Sequence, residues 1–237
     1  MLAAGVWALV AASSLVLGAL LSLTNWIEGR RLRLLIAFGA GTLVSAVAYD
    51  LVEEAVHVSA TGWSVGAGFV VGALAFYVGD EIIDRLPGAG GADGGGGLPI
   101  LLGAVLDGIP ESIVLGLTLV GGGAPSSAVL VAIFVSNVPE SVASSTKMRE
   151  AGRSPLWIVA IWAVVAAASA VAAAVGYGLL AGSSGDNIAF MDAFAAGAIL
   201  VLLADHLLPE AHADRDKVVG VMAASGFALA AVLSFTD

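Results

Sequence analysis

Apolar residues run through this chain in long blocks separated by short polar breaks. The blocks lie at about 3–24, 34–56, 63–83, 99–121, 126–148, 156–180, 189–211 and 218–236. About 20 apolar residues in an α-helix cover the ~30 Å of a bilayer's hydrocarbon core. The pattern therefore predicts an all-α integral membrane protein with eight transmembrane helices. Between the third and fourth blocks, residues 86–98 are rich in glycine and carry Asp93 as their only charge. A phosphate-binding loop would need a preceding strand and usually a lysine. Neither is present, so this run reads as a flexible linker.

Two neighbouring blocks are interrupted near the middle by a proline followed by a glutamate. The fourth carries Asp107-Gly108-Ile109-Pro110-Glu111-Ser112, and the fifth Ser136-Asn137-Val138-Pro139-Glu140-Ser141. A carboxylate at the centre of a bilayer helix costs about 2.5–3.5 kcal/mol on insertion scales, so two of them imply a function. Each proline lacks an N–H and crowds the carbonyl four residues back, which frees the carbonyls of Leu106 and Val135 to face a cation. Positions i and i+4 share a helix face, placing Asp107 beside Glu111 and Ser136 beside Glu140. The linker at 121–127 is short enough to fold the fifth helix back antiparallel to the fourth. Both motifs begin about ten residues into their helices and so meet at a similar depth. The expected site is a set of oxygen ligands, Asp107, Glu111 and Glu140 with Ser136 and Asn137, buried between two kinked helices.

Composition narrows the class further. Of 237 residues, 59% are hydrophobic and 12% charged, and the mean hydropathy is +1.00, as for an integral membrane protein rather than a soluble domain with a large core. There is no cysteine, which excludes disulfides and thiolate metal sites. The net charge of −10 comes largely from carboxylates inside or at the rims of apolar blocks, and nucleic-acid binding has no basis. All nine basic residues lie in or beside the first, third, fifth and seventh connections: Arg30, Arg31, Arg33, Arg85, Lys147, Arg149, Arg153, Arg215 and Lys217. By the positive-inside rule these connections, the glycine-rich one included, are cytoplasmic and both termini lie outside. The first block has its arginines after it, not before, so it is expected to remain as an anchor rather than be removed as a signal peptide.

The second and seventh blocks align without gaps. Phe38-Gly39-Ala40-Gly41 and Tyr49-Asp50-Leu51-Val52-Glu53-Glu54-Ala55 fall on Phe194-Ala195-Ala196-Gly197 and Asp205-His206-Leu207-Leu208-Pro209-Glu210-Ala211. One block runs outward and the other inward, so the repeat is inverted, as in many secondary transporters. Helices 1–3 and 6–8 become two halves around a hairpin of helices 4 and 5, a 3+2+3 arrangement. Asp50, Glu53 and Glu54 then lie toward the outer end of helix 2, and His206 and Glu210, at metal-ligand spacing on one face, toward the inner end of helix 7. His57 and His212 extend these two groups. Carboxylates at three depths describe a route rather than a single site.

Two Pro-Glu motifs on adjacent helices inside an inverted repeat resemble the ZIP (Zrt/Irt-like) family of divalent metal transporters. The resemblance implies eight helices grouped three, two and three, both termini outside, and movement of zinc, iron, manganese, cadmium or related ions toward the cytoplasm. It also implies that the fourth and fifth helices build the metal site. The layout covers the whole chain, whereas the specific motifs cover helices 4 and 5 and Leu207-Leu208-Pro209-Glu210-Ala211. Asp107 stands where the family usually has histidine, Gly108 where it usually has asparagine, and Ser136 in place of a stronger ligand. Helix 6 has no acidic residue, so a second metal of a binuclear site is weakened or absent. A site of carboxylate oxygens suits manganese and other hard ions better than a histidine site does.

The expectation is a multi-pass protein of the cell membrane that carries divalent cations as substrate through Asp50, Glu53, Glu54, Asp107, Glu111, Ser136, Asn137, Glu140, His206 and Glu210. It needs no resident cofactor, and its partners are the ion and the lipid bilayer. The oligomeric state is open, a homodimer being one arrangement. A non-transporting metal sensor or scaffold of the same fold is the alternative. An enzyme is not expected. Tyr49-Asp50 and Gly79-Asp80 superficially resemble an intramembrane aspartyl protease, but the two aspartates belong near opposite ends of their helices.

Overall fold

The computed structural model describes residues 1–24, 26–86, 97–120 and 125–236, with side chains in the fourth helix described from residue 101. Eight continuous helices account for nearly all of it. They are α1 (Leu2–Ser22), α2 (Arg30–Val58), α3 (Trp63–Asp84), α4 (Gly97–Leu117), α5 (Ser127–Glu150), α6 (Pro155–Leu180), α7 (Gly185–Ala211) and α8 (Val218–Ser234). No strand occurs among the described residues. Six of the helices, α1, α2, α3, α5, α6 and α7, are long and apolar enough to cross a membrane, and α8 is a shorter apolar helix. The chain is therefore built as a helical, multi-pass membrane protein. Of the linker expected at 86–98, residues 87–96 lie outside the described residues.

Local chemistry explains where helices start and why two continue through proline. Ser126 and Ser154 cap α5 and α6, their hydroxyls accepting from the N–H groups of Val129 and Trp157, and Pro155 opens α6 where no N–H is needed. Pro110 and Pro139 sit inside unbroken helices. Ser112 donates to Gly108 O (2.6 Å) and Ser141 to Asn137 O (2.7 Å), so hydroxyls engage backbone carbonyls beside each proline.

Helix packing is paired. α2 packs along α8, and α3 along α7; α1 packs on α5 and α6, and α4 on α6; α2–α5 and α4–α7 contacts join the two groups. The first two pairs are closed by glycines in the same way. Gly41 abuts the Ala223 carbonyl and Gly226 the Phe38 carbonyl, while Gly197 abuts the Phe69 carbonyl and Gly72 the Phe194 carbonyl. A methyl group at any of the four would meet backbone, so small residues set the helix spacing. α2 and α7 also share a distortion, since Ala46–Val52 and Leu203–Leu207 are π-helical. The alignment that lays Phe38 on Phe194 lays 47–51 on 203–207.

Connections alternate between two ends of the bundle. At one end Arg30 pairs with Asp216 (2.6 Å), Arg33 pairs with Asp214, and Arg149 donates to Ser22 O (2.7 Å) and pairs with Glu28 (3.3 Å). These contacts gather the first, fifth and seventh connections. At the other end Asp186 Oδ1 accepts from the Ala60 N–H (3.0 Å) and from the Ser59 and Ser64 hydroxyls (both 3.2 Å), tying the second connection to the start of α7.

Candidate functional site

The two Pro-Glu motifs come together in the middle of the bundle. Glu111, 4% exposed, faces the buried Ser136 hydroxyl and the buried Asn137 amide across the α4–α5 contact. Asp107 and Glu140 lie within hydrogen-bond reach of each other, and Glu140 also interacts with Glu111. Asp107 and Glu111, four residues apart on α4, thus both interact with residues of the α5 motif. Asp107 Oδ1 and Glu111 Oε1 are buried without a hydrogen-bond partner. The electrostatic partners of the three acids are one another, Asp80, Glu210 and His206, and among these only His206 can carry positive charge. Carboxylates held this close repel unless a proton or a cation lies between them.

Beside this cluster a void of about 10 Å³ is lined by Glu111, Asn137, Glu140, Ser112 and Ser169, with small residues of α1 closing it. That is room for about one water. Among the described residues no three His, Asp or Glu side chains converge closely enough to hold a metal ion.

The predicted residues of α7 divide between two neighbours. His206 Nε2 is bonded to Asp80 Oδ2 of α3 at 3.0 Å, with the Phe76 ring edge-on to the imidazole at 6.1 Å, while Glu210 interacts with Glu140. The shared face expected of His206 and Glu210 assumes ordinary α-helical turns. His206 lies in the π-helical segment Leu203–Leu207 and Glu210 beyond it, and both border the central acids, His206 beside Asp107 and Glu210 beside Glu140. Asp80 is the group that sequence reasoning passed over: it entered only as a protease candidate, yet it anchors the histidine. Its signal was legible, an aspartate near the end of a membrane helix with no basic residue on its own helix.

At the other end, Asp50, Glu53, Glu54, His57 and Asp192 line a cavity of about 680 Å³. They are not equivalent. Asp50 Oδ1 accepts from the Ser126 hydroxyl (2.7 Å) and Oδ2 from that of Ser234 (2.9 Å), so it ties α2 to the start of α5 and the end of α8. Asp50 was expected to receive an ion alongside Glu53 and Glu54, and each of its oxygens also accepts from one of these hydroxyls. Glu53 is exposed and lies 3.6 Å from exposed His57, Glu54 is exposed, and Asp192 is buried. His212 is exposed and bonds Leu208 O.

Among the described residues the central void and the outer cavity share no lining residue. Between them along α4, α5 and α7 lie Val114, Leu115, Val129, Ile133 and Ile199, all within the largest apolar core. An apolar layer therefore separates the outer carboxylates from the central ones.

Fold and site together define a multi-pass helical membrane protein with a buried acidic cluster. No protein-family model matches the chain, and no curated protein matches it.

Proposed function

We propose that the chain transports divalent metal cations toward the cytoplasm as a multi-pass protein of the cell membrane, with ZIP-like architecture. The observation that carries this reading is the buried, mutually facing set Asp107, Glu111 and Glu140, with two partnerless carboxylate oxygens and no lysine or arginine among its electrostatic partners. Intramembrane acids of this kind mark ion pathways. A 3+2+3 inverted repeat is supported by the matching glycine contacts of α2–α8 and α7–α3 and by π segments in register. The positive-inside pattern supports cytoplasmic odd connections and outer termini.

In this reading ions collect among Glu53 and Glu54 in the outer cavity. They cross the apolar layer when one helix group moves against the other, and reach Asp107, Glu111 and Glu140 with Ser136 and Asn137 at hand. They leave past the His206–Asp80 pair and Glu210. Oxygen ligands favour manganese and harder ions over zinc. Because carboxylates bind metal only when deprotonated, uptake falls at acidic pH.

The second reading, a metal sensor or scaffold that does not transport, draws on the absence among the described residues of a closely convergent three-ligand group. Uptake of Zn, Mn, Fe(II) and Cd into proteoliposomes separates the two, with Glu111→Gln and Glu140→Gln beside the parent chain. Uptake by the parent and its loss in both variants supports transport through α4 and α5. No uptake of any ion by folded parent protein supports the sensor or scaffold.

A further inference from the structure

Asp192 belongs to no group that the route above uses, yet it is 3% exposed, its Oδ2 is buried without a hydrogen-bond partner, and it lines the outer cavity. Its electrostatic neighbour is Glu54, across the contact between α7 and the end of α2. That contact is made close by Ala55, Ala189 and Ala193, each 0% exposed and packed as one apolar cluster. The alanines bring the two backbones together and leave the two carboxylates facing the same space. Thr118 adds a hydroxyl to the wall. Asp50 accepts from Ser126 and Ser234, and His57 lines the same cavity beside Glu53.

A carboxylate buried beside another carboxylate at the wall of a cavity, with one oxygen unbonded, is an incomplete coordination shell. The cavity of about 680 Å³ has room for on the order of twenty waters, so a cation there can keep part of its hydration. We infer that Asp192 and Glu54 form an outer binding site for a hard, partly hydrated divalent cation of the Mn²⁺ type, distinct from the central acids. Both residues of the site offer carboxylate oxygens, which favours such ions over zinc. The inference deepens the transport reading by naming where an ion is first held, and its test reads binding alone, so either can fail without the other.

The test is Mn²⁺ binding to purified full-length protein, followed by the electron paramagnetic resonance of free Mn²⁺. The background is the double variant Glu111→Gln/Glu140→Gln, which disables the central cluster. The expected result is that this background still binds Mn²⁺, that adding Asp192→Asn weakens binding at least about 10-fold, and that Glu54→Gln weakens it by a similar factor. Mn²⁺ binding unaltered by either added change, or absent from the folded background, overturns the site. Should Asp192→Asn fail to fold, Glu54→Gln on its exposed position decides alone. Uptake assays on Asp192→Asn with Glu111 and Glu140 intact then report separately whether the outer site feeds transport.

Discussion

α2 and α7 share a register of Phe, Gly, Leu, Glu and Ala and a π-helical turn at matching positions, yet their polar side chains meet different fates. Asp50 in α2 is held by two hydroxyls, from Ser126 and Ser234. His206 occupies the same place in α7, holds a bond to Asp80, and keeps 36% of its side chain exposed. Four residues on, Glu54 opens onto the outer cavity whereas Glu210 meets Glu140. The backbone is common and the neighbours differ. Around α2, the start of α5 and the end of α8 supply serine hydroxyls that tie Asp50 to both helices. Around α7, α3 supplies an acid, which leaves a polar pair able to exchange partners.

The largest effect tests the shared backbone. Gly41→Leu and Gly197→Leu each drive a side chain into a facing carbonyl, and overpacking costs about 1–3 kcal/mol or more. Both are expected to lose folded, monodisperse protein in size-exclusion chromatography; loss in only one would break the equivalence of the α2–α8 and α7–α3 pairs.

Next in size is the structural role of Asp50. Hydrogen bonds to charged groups contribute about 1.5–3 kcal/mol each, so Asp50→Ala should lower the melting temperature measurably, with Asp50→Asn intermediate. His206→Ala should change it much less. A larger loss for His206→Ala would reverse the contrast drawn between the two helices.

A smaller effect is expected at the inner pair. Asp80→Asn weakens the bond that holds the imidazole and should lower uptake about tenfold, in line with one charge-assisted hydrogen bond, with little change in stability. Unchanged uptake would remove the pair from the ion's path.

The smallest effect lies at the end of the bundle. The Val218 N–H and the Arg30 guanidinium donate to Asp216 and hold its carboxyl below the usual carboxylate range. A depressed native pKa means that the tie stabilises at neutral pH and that its contribution is lost as pH falls through that lowered value. Melting curves of the parent and Asp216→Asn should therefore converge at strongly acidic pH and differ slightly at neutral pH, this group lying at the solvent-facing end of the bundle.

Much of this protein was legible before any coordinates. Eight helices follow from eight apolar blocks because hydrocarbon thickness sets a length that only long apolar runs meet. Glu111, Glu140, Ser136 and Asn137 were picked out because acids and amides inside such runs are costly, and the i, i+4 rule put Asp107 and Glu111 on one face. The π-helical segment that contains His206 is not visible in residue spacing. Asp192 carried too little signal on its own, being a lone aspartate among alanines and phenylalanines.

Sequence alone determined the all-helical membrane class and the number of helices, both of which depend on hydrophobic length and short-range helix geometry. Tertiary structure decided which carboxylates are tied off and which are left open. That depends on the donors that distant helices bring: Ser126 and Ser234 to Asp50, Asp80 to His206, and no hydrogen-bond donor to Asp192 Oδ2. Contacts spanning 76 to 184 positions of chain are set by how helices pack, and no local pattern encodes them.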